Sequence, residues 1–261
     1  MLTVGATQVS AEGPIQRAPS RGAGCVLQLL GGFNLLVDGR PFHLPRAEQR
    51  VLACIALGDR PQPRSRLAGR LWPDAAEPRA MARLRTALWR LRQPGRLLVE
   101  GTSDTVGLGD GVVVDVHELT TLVHRFLDAP IDAEAPPPTE LAGAGELLPE
   151  WEDDWLVPQR ERFRQIRLHA LERLGEHLAE EGRFGRAVEV SLAVVADDPL
   201  RESAQRVLIK VYAAEGNVHE AISQYLAYRR VMRDELGLEP SPQMEALIDE
   251  LGIDAARAAR A

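Results

Sequence analysis

Glu77-Pro-Arg-Ala-Met-Ala-Arg-Leu-Arg-Thr-Ala-Leu-Trp-Arg-Leu-Arg-Gln93 is the stretch whose reading decides the fold. It predicts one helix with two unlike faces. Pro78 suits the first helical turn, where its missing N–H costs nothing, and Pro94-Gly95 supplies the stop. At about 100° per residue, Met81, Leu84, Leu88 and Leu91 fall on one stripe and Arg79, Arg83, Thr86 and Arg90 on the opposite one. The first stripe is expected to pack and the second to face outward. From Arg79 to Arg90 the helix rises roughly 16 Å, enough to follow about five base pairs of a major groove wide enough to admit a helix. A basic face is equally compatible with plain solvation, so the neighbouring sequence decides.

On the N-terminal side, residues 25–30, 33–37 and 41–44 are short β-prone runs separated by Gly31-Gly32 and Asp38-Gly39, which predicts a small antiparallel sheet. Residues 47–58 follow as a helix with Val51, Leu52, Ile55 and Ala56 on one face. Ser65 reads as the N-cap of a second helix over 66–72, with Arg64, Arg66 and Arg70 around its apolar stripe. Beyond the Arg-striped helix, residues 97–100 and 105–108 form a hairpin, followed by Gly111-Val-Val-Val-Asp115 and a helix over 116–127. Strands, three helices and a hairpin are the order of a winged helix-turn-helix, whose last helix enters the major groove. The candidate DNA-binding residues are therefore Arg79, Arg83, Thr86 and Arg90, joined by Arg85 and Arg92 on the same helix and by Arg64 and Arg66 on the one before it. The hairpin tip Thr102-Ser-Asp104 carries an acid where a groove-inserting wing favours a base, so no strong minor-groove contact is expected there.

Residues 1–23 read as a disordered lead-in, 24–128 as the winged-helix domain with its trailing helix, and 129–145, with three consecutive prolines and acidic neighbours, as a linker. Residues 146–261 are helical throughout, with helices expected near 159–181, 184–196, 200–215, 218–236 and 242–251. Ala179-Glu-Glu-Gly182-Arg-Phe-Gly-Arg-Ala187 and Ala213-Ala-Glu-Gly216-Asn-Val-His-Glu-Ala221 superpose at a separation of 34, the tetratricopeptide period. Gly182, Ala187, Gly216 and Ala221 are expected where helices cross. The fold class is thus mainly α with a small β component: a winged helix-turn-helix, then an all-α tetratricopeptide-like repeat.

Charge is divided along the chain. The net charge is −7, but residues 38–100 hold thirteen basic against six acidic side chains, and residues 101–261 sixteen against thirty-one. A basic module that meets a polyanion, followed by an acidic one with another task, fits this asymmetry. Lys210 is the sole lysine. Cys25 and Cys54 have no metal spacing and read as buried reduced thiols, which fits a cytoplasmic protein. No run approaches the roughly 18 apolar residues of a membrane span. The six histidines show no H-E-x-x-H pattern, and no Gly-x-Ser-x-Gly or phosphate-cradling Gly-rich loop occurs, so neither an enzyme nor a cofactor is expected. Glu152, Asp153 and Asp154, between Trp151 and Trp155, read as a solvated corner anchored by the rings rather than as a metal site.

Leu71-Trp72-Pro73, the helix ending Leu88-Trp89-Arg90-Leu91-Arg92, Asp198-Pro-Leu-Arg-Glu202 and Glu235-Leu-Gly-Leu-Glu-Pro-Ser-Pro242 together resemble the bacterial transcriptional activator domain family, which includes the antibiotic regulatory proteins of actinomycetes such as Streptomyces. The resemblance covers about residues 25–251, and the two C-terminal motifs are its most specific part. It implies an OmpR-like DNA-binding module, binding to direct repeats in promoter double-stranded DNA as a side-by-side homodimer, and recruitment of RNA polymerase, often at secondary-metabolite gene clusters. A repressor acting by promoter occlusion and a protein-interaction adaptor built on the helical repeat are the alternatives.

Overall fold

The computed structural model describes residues 24–58, 60–92, 97–128, 141 and 143–252. The expected lead-in, the Pro94-Gly95 stop, most of the expected linker and the last residues of the chain lie outside the described residues. In chain order the elements are β1 (Cys25–Gln28), β2 (Asn34–Val37), β3 (Arg40–Pro41), α1 (Arg46–Ala56), β4 (Gln62–Pro63), α2 (Arg64–Leu71), α3 (Glu77–Leu91), β5 (Val99–Glu100), β6 (Thr105–Leu108), β7 (Val112–Val114) and α4 (Asp115–Asp128). A 3-10 turn (Asp154–Leu156) leads into α5 (Val157–Glu180), α6 (Phe184–Asp197), α7 (Glu202–Glu215), α8 (Val218–Leu236) and α9 (Pro242–Glu250). The architecture is mainly helical with a small N-terminal β component, as expected.

Two details of the N-terminal half differ from expectation. The first sheet is mixed, in the order β3-β2-β1-β7, because β7 returns parallel to β1. Asp115, directly after β7, fixes that return: its carboxylate accepts the backbone N–H groups of Leu29 and Leu30, each at 3.0 Å. The second difference concerns Ser65, which lies inside the first turn of α2 rather than at its N-cap. Residues 62–63 pair with β6 in the second sheet, and Arg64 N–H donates to the Asp104 carbonyl at 2.9 Å, so the wing fixes the residues before Arg64 and the helix starts there. Trp72 accordingly falls outside α2, as its C-cap.

The buried core does not stop where the expected linker lies. One contiguous cluster runs from Cys25 and Leu27 through Leu84 and Leu91 to Leu141, Leu147, Trp151, Phe163, Leu178 and Val211. Leu141, a residue of the expected linker, is fully buried. Residues 143–151 lie against the segment that follows β1: Gly31 N–H donates to the Glu146 carbonyl at 2.7 Å, Leu148 N–H to the Leu29 carbonyl at 2.9 Å, and Leu30 bridges Leu147. Arg160 on α5 binds the other side of this strap, donating to the Leu147 and Trp151 carbonyls at 2.8 and 2.7 Å. A second, smaller cluster holds Ile209, Ala221, Tyr225, Tyr228, Met232, Met244, Leu247 and Ile248. The apolar division therefore falls within α7, whose Val207 and Val211 face one cluster and Ile209 the other.

In the helical half the expected elements are present, but two glycines have another reason to be there. Gly182 and Gly216 adopt φ of 73° and 89°, and a Cβ on either meets no atom within 4 Å. They end α5 and α7 in the left-handed conformation that side chains resist; they are not crossing points. Ala187 and Ala221 do sit buried at the packing surface. The close approach belongs to Gly175 on α5, where a Cβ would lie 2.7 Å from Ser191 Oγ on α6.

The two C-terminal motifs meet in space. Glu202, which opens α7, accepts Ser241 N–H at 2.9 Å, the Ser241 hydroxyl, Tyr228 OH at 3.2 Å and Arg206 Nη1 at 2.8 Å. Ser241 is also the N-cap of α9. One carboxylate thus ties α7, α8 and α9 together. Burial alone would raise its pKa, but the Ser241 and Tyr228 hydrogen bonds and the Arg206 charge outweigh it and hold the group below the usual carboxylate range.

Candidate nucleic-acid interface

α3 is the longest helix of the N-terminal half, and its phase decides which side chains look outward. The buried set is Ala80, Leu84, Ala87, Leu88 and Leu91, while Met81 is only half-buried. Two alanines thus replace Met81 in the packing stripe and turn the helix. With about 100° per residue, the direction opposite this buried set falls within roughly 25° of Ala82 and Trp89 and within roughly 40° of Thr86. Arg79, Arg83 and Arg90 lie on one flank of that line and Arg85 on the other. The arginine stripe is exposed, but it borders the outward face rather than forming its centre.

The basic residues fall into three groups. Arg66 on α2 and Arg79, Arg83 and Arg85 on α3 are exposed and make no ion pair among the described residues. Arg90 is exposed but engaged: its Nη1 donates at 2.6 Å to Oε1 of Glu48 on α1, a carboxylate 1% exposed whose Oε2 has no hydrogen-bond partner. Arg64 and Arg92 are half-buried, each with a buried Nε lacking a partner, and Arg92 reaches toward the Gly101 carbonyl at 3.4 Å. The structure thus places Arg66, Arg79, Arg83, Arg85 and Thr86 on open surface, holds Arg90 through Glu48, and lays Arg64 and Arg92 against the protein.

The wing is tight. Thr102 Oγ1 accepts the N–H groups of Asp104 and Thr105, each at 3.2 Å. Gly101, at φ 144°, leaves no room for a Cβ, which would lie 2.3 Å from the Thr105 carbonyl oxygen. The acid at the tip, Asp104, is exposed.

The acidic corner is not simply solvated. Trp151 is buried, stacks on Phe33 with centroids 5.9 Å apart, and carries the Arg46 guanidinium 3.9 Å above its ring. Asp153 accepts Arg50 Nε at 2.8 Å and Trp155 Nε1 at 3.0 Å, and Arg50 also donates to the Leu71 carbonyl at the end of α2. Glu150, Glu152 and Asp154 stay exposed and share a groove with Arg79 and Arg83. Behind this face Cys54 on α1 is buried, and burial pushes its thiol up to about 11 despite the nearby Arg70 charge, so it stays protonated. Among the described residues no group of three or more His, Cys, Asp or Glu side chains is placed to hold a metal ion, and no helix is long and apolar enough to cross a membrane.

Comparison with known proteins places this geometry. Residues 144–254 match the family described as bacterial transcriptional activator domain. The regulatory protein AfsR of Streptomyces coelicolor is 30% identical over 239 residues, 84% of this chain, and AfsR of Streptomyces griseus is 26% identical over 83% of it. The chain spans 23% of the length of each of these relatives. Among solved structures, Mycobacterium tuberculosis EmbR, determined in complex with a low-affinity phosphopeptide, has the same fold over 91% of this chain and 68% of its own, with a TM-score of 0.72 at 21% identity.

Proposed function

We propose, from the premise that the helical half of this chain belongs to the bacterial transcriptional activator domain family, that the protein is a sequence-specific DNA-binding transcriptional regulator that activates promoters. The observation that carries this reading is the set Arg66, Arg79, Arg83 and Arg85. These are four exposed guanidinium groups on two consecutive helices without a carboxylate partner among the described residues, on a helix-turn-helix frame. Such groups suit phosphate and base edges. The helical half supplies a surface for RNA polymerase or for a second protomer on a direct repeat. The partner is promoter double-stranded DNA, and the site of action is the cytoplasm.

The test is selection of a binding site from randomised duplexes by the full chain, followed by run-off transcription from a promoter carrying that site. A selected consensus and more transcript with added protein are expected. Less transcript would favour occlusion, and no selected sequence would favour the adaptor. Deleting residues 146–261 is not a clean alternative, because it strips Leu147, Trp151 and Phe163 from the shared core.

A further inference from the structure

The phase of α3 puts Ala82, Thr86 and Trp89, not the arginines, along the centre of its outward face. Ala82 offers only its methyl group there. Thr86 Oγ1 is turned back to donate to the Ala82 carbonyl at 3.1 Å, which engages the hydroxyl with its own helix and favours methyl contact. Trp89 is 69% exposed, an unusual state for the largest apolar side chain in a folded domain. The flanks are cationic, with Arg79 and Arg83 on one side and Arg85 on the other. A helix seated in a major groove turns its central line to the base edges and its flanks to the two phosphate backbones. The one apolar group that a base pair offers in that groove is the thymine C5-methyl, and small apolar, Thr-methyl and aromatic side chains are its usual partners.

We infer that Ala82, Thr86 and Trp89 form an apolar strip that reads thymine methyl groups, with Arg79, Arg83 and Arg85 positioning the helix on the phosphates. The inference rests on the DNA-binding reading above and adds to it the base chemistry that the site selects. It makes Trp89 and Thr86 specificity-determining residues, and it moves the discrimination of sequence away from the arginine stripe. The charge of the flanks commits the strip to duplex DNA as its occupant.

The experiment uses the full chain and the duplex it selects. Each thymine in the selected site is replaced in turn by uracil, which removes the methyl and leaves every hydrogen-bonding group in place. Uracil under the strip is expected to weaken binding about fourfold, the worth of one buried methyl group. Thr86→Ser and Trp89→Ala, both at exposed positions and checked for folding by circular dichroism, should each bind thymine and uracil duplexes alike at one position, since the contact is already lost. Equal binding of thymine and uracil duplexes by the unaltered chain, or full sequence discrimination by Trp89→Ala, overturns the strip while leaving DNA binding standing. Selection of no sequence, or binding without salt dependence, overturns the DNA-binding reading and the strip with it.

Discussion

Arg66, Arg79, Arg83 and Arg85 stand open on α2 and α3, whereas Arg164, Arg167, Arg201 and Arg206 of the helical half are each held by carboxylates. Arg201 is the extreme case. It donates to Glu172 at 2.7 Å and to Gln165 at 2.8 Å, and Ser203 donates to the same Glu172 carboxylate. The same side chain serves two ends. In the helical half it cross-links helices, and on α2 and α3, where even the carboxylates that share a groove with Arg79 and Arg83 form no ion pair with them, its charge remains available to a polyanion. Arg90 stands between the two, since its pairing with buried Glu48 ties α3 to α1 while more than half of its side chain stays exposed.

That comparison is broken most directly at Arg90. Arg90→Ala leaves the Glu48 carboxylate buried without its partner, and we expect a loss of about 2–3 kcal/mol in denaturant unfolding. This falls below the roughly 3–5 kcal/mol of a fully buried pair, because the arginine is half exposed. Glu48→Gln in the same background should recover part of the loss. Arg83→Ala, by contrast, should stay within about 0.5 kcal/mol of the parent. If both arginines cost the same, the division between structural and available cations fails.

The helical half offers a sharper contrast between crowding and backbone strain. Gly175→Ala pushes a methyl against Ser191 and should cost about 1–3 kcal/mol, and more for larger side chains. Gly216→Ala and Gly216→Leu should cost alike, about 1–2 kcal/mol, because only the left-handed backbone is strained and nothing stands near the side chain. Thermal melts of the three variants decide this. A Gly216→Leu loss far above that of Gly216→Ala would restore crossing-point crowding as the cause.

Much of this was legible in the sequence. The five C-terminal helices were, because Gly182, Gly216, Gly237 and Pro242 punctuate them. So was the order of the winged helix, since each element carries its own periodicity. The phase of α3 was not, because Ala80 and Ala87 weigh little in a hydrophobic stripe yet pack fully. The Arg90–Glu48 pair lies 42 residues apart in sequence, and no local pattern announces it. The strap beside β1 was hidden by its surroundings: the three prolines and the acids that precede it in the sequence read as a linker up to residue 145, while Leu141, Leu147 and Trp151 follow neither a helical nor a strand period. Trp89 belongs to a sequence motif, and nothing local in that motif announces its exposure.

A smaller effect is expected in acid. The folded-state pKa of Glu202 lies below its ordinary value of about 4.3, so its contribution to stability is present above that pH and is lost as pH falls through the lower, folded value. Ser241→Ala removes the hydroxyl donor and should move the acid-unfolding midpoint upward, read by circular dichroism between about pH 5 and 2. An unchanged midpoint would mean that Glu202 does not carry the junction of α7, α8 and α9.

The central claim, that open arginines on α2 and α3 meet the DNA backbone, is tested most directly by the salt dependence of binding. The full chain and its Arg79→Ala/Arg83→Ala/Arg85→Ala variant would be titrated with the selected duplex across a range of salt concentrations. For a pair of protomers neutralising roughly four to eight phosphates, log K should fall against log salt with a slope of about −4 to −7, and the triple variant should bind more weakly with a visibly shallower slope. A parent slope near zero, or a triple variant with the parent's affinity and slope, would contradict the account.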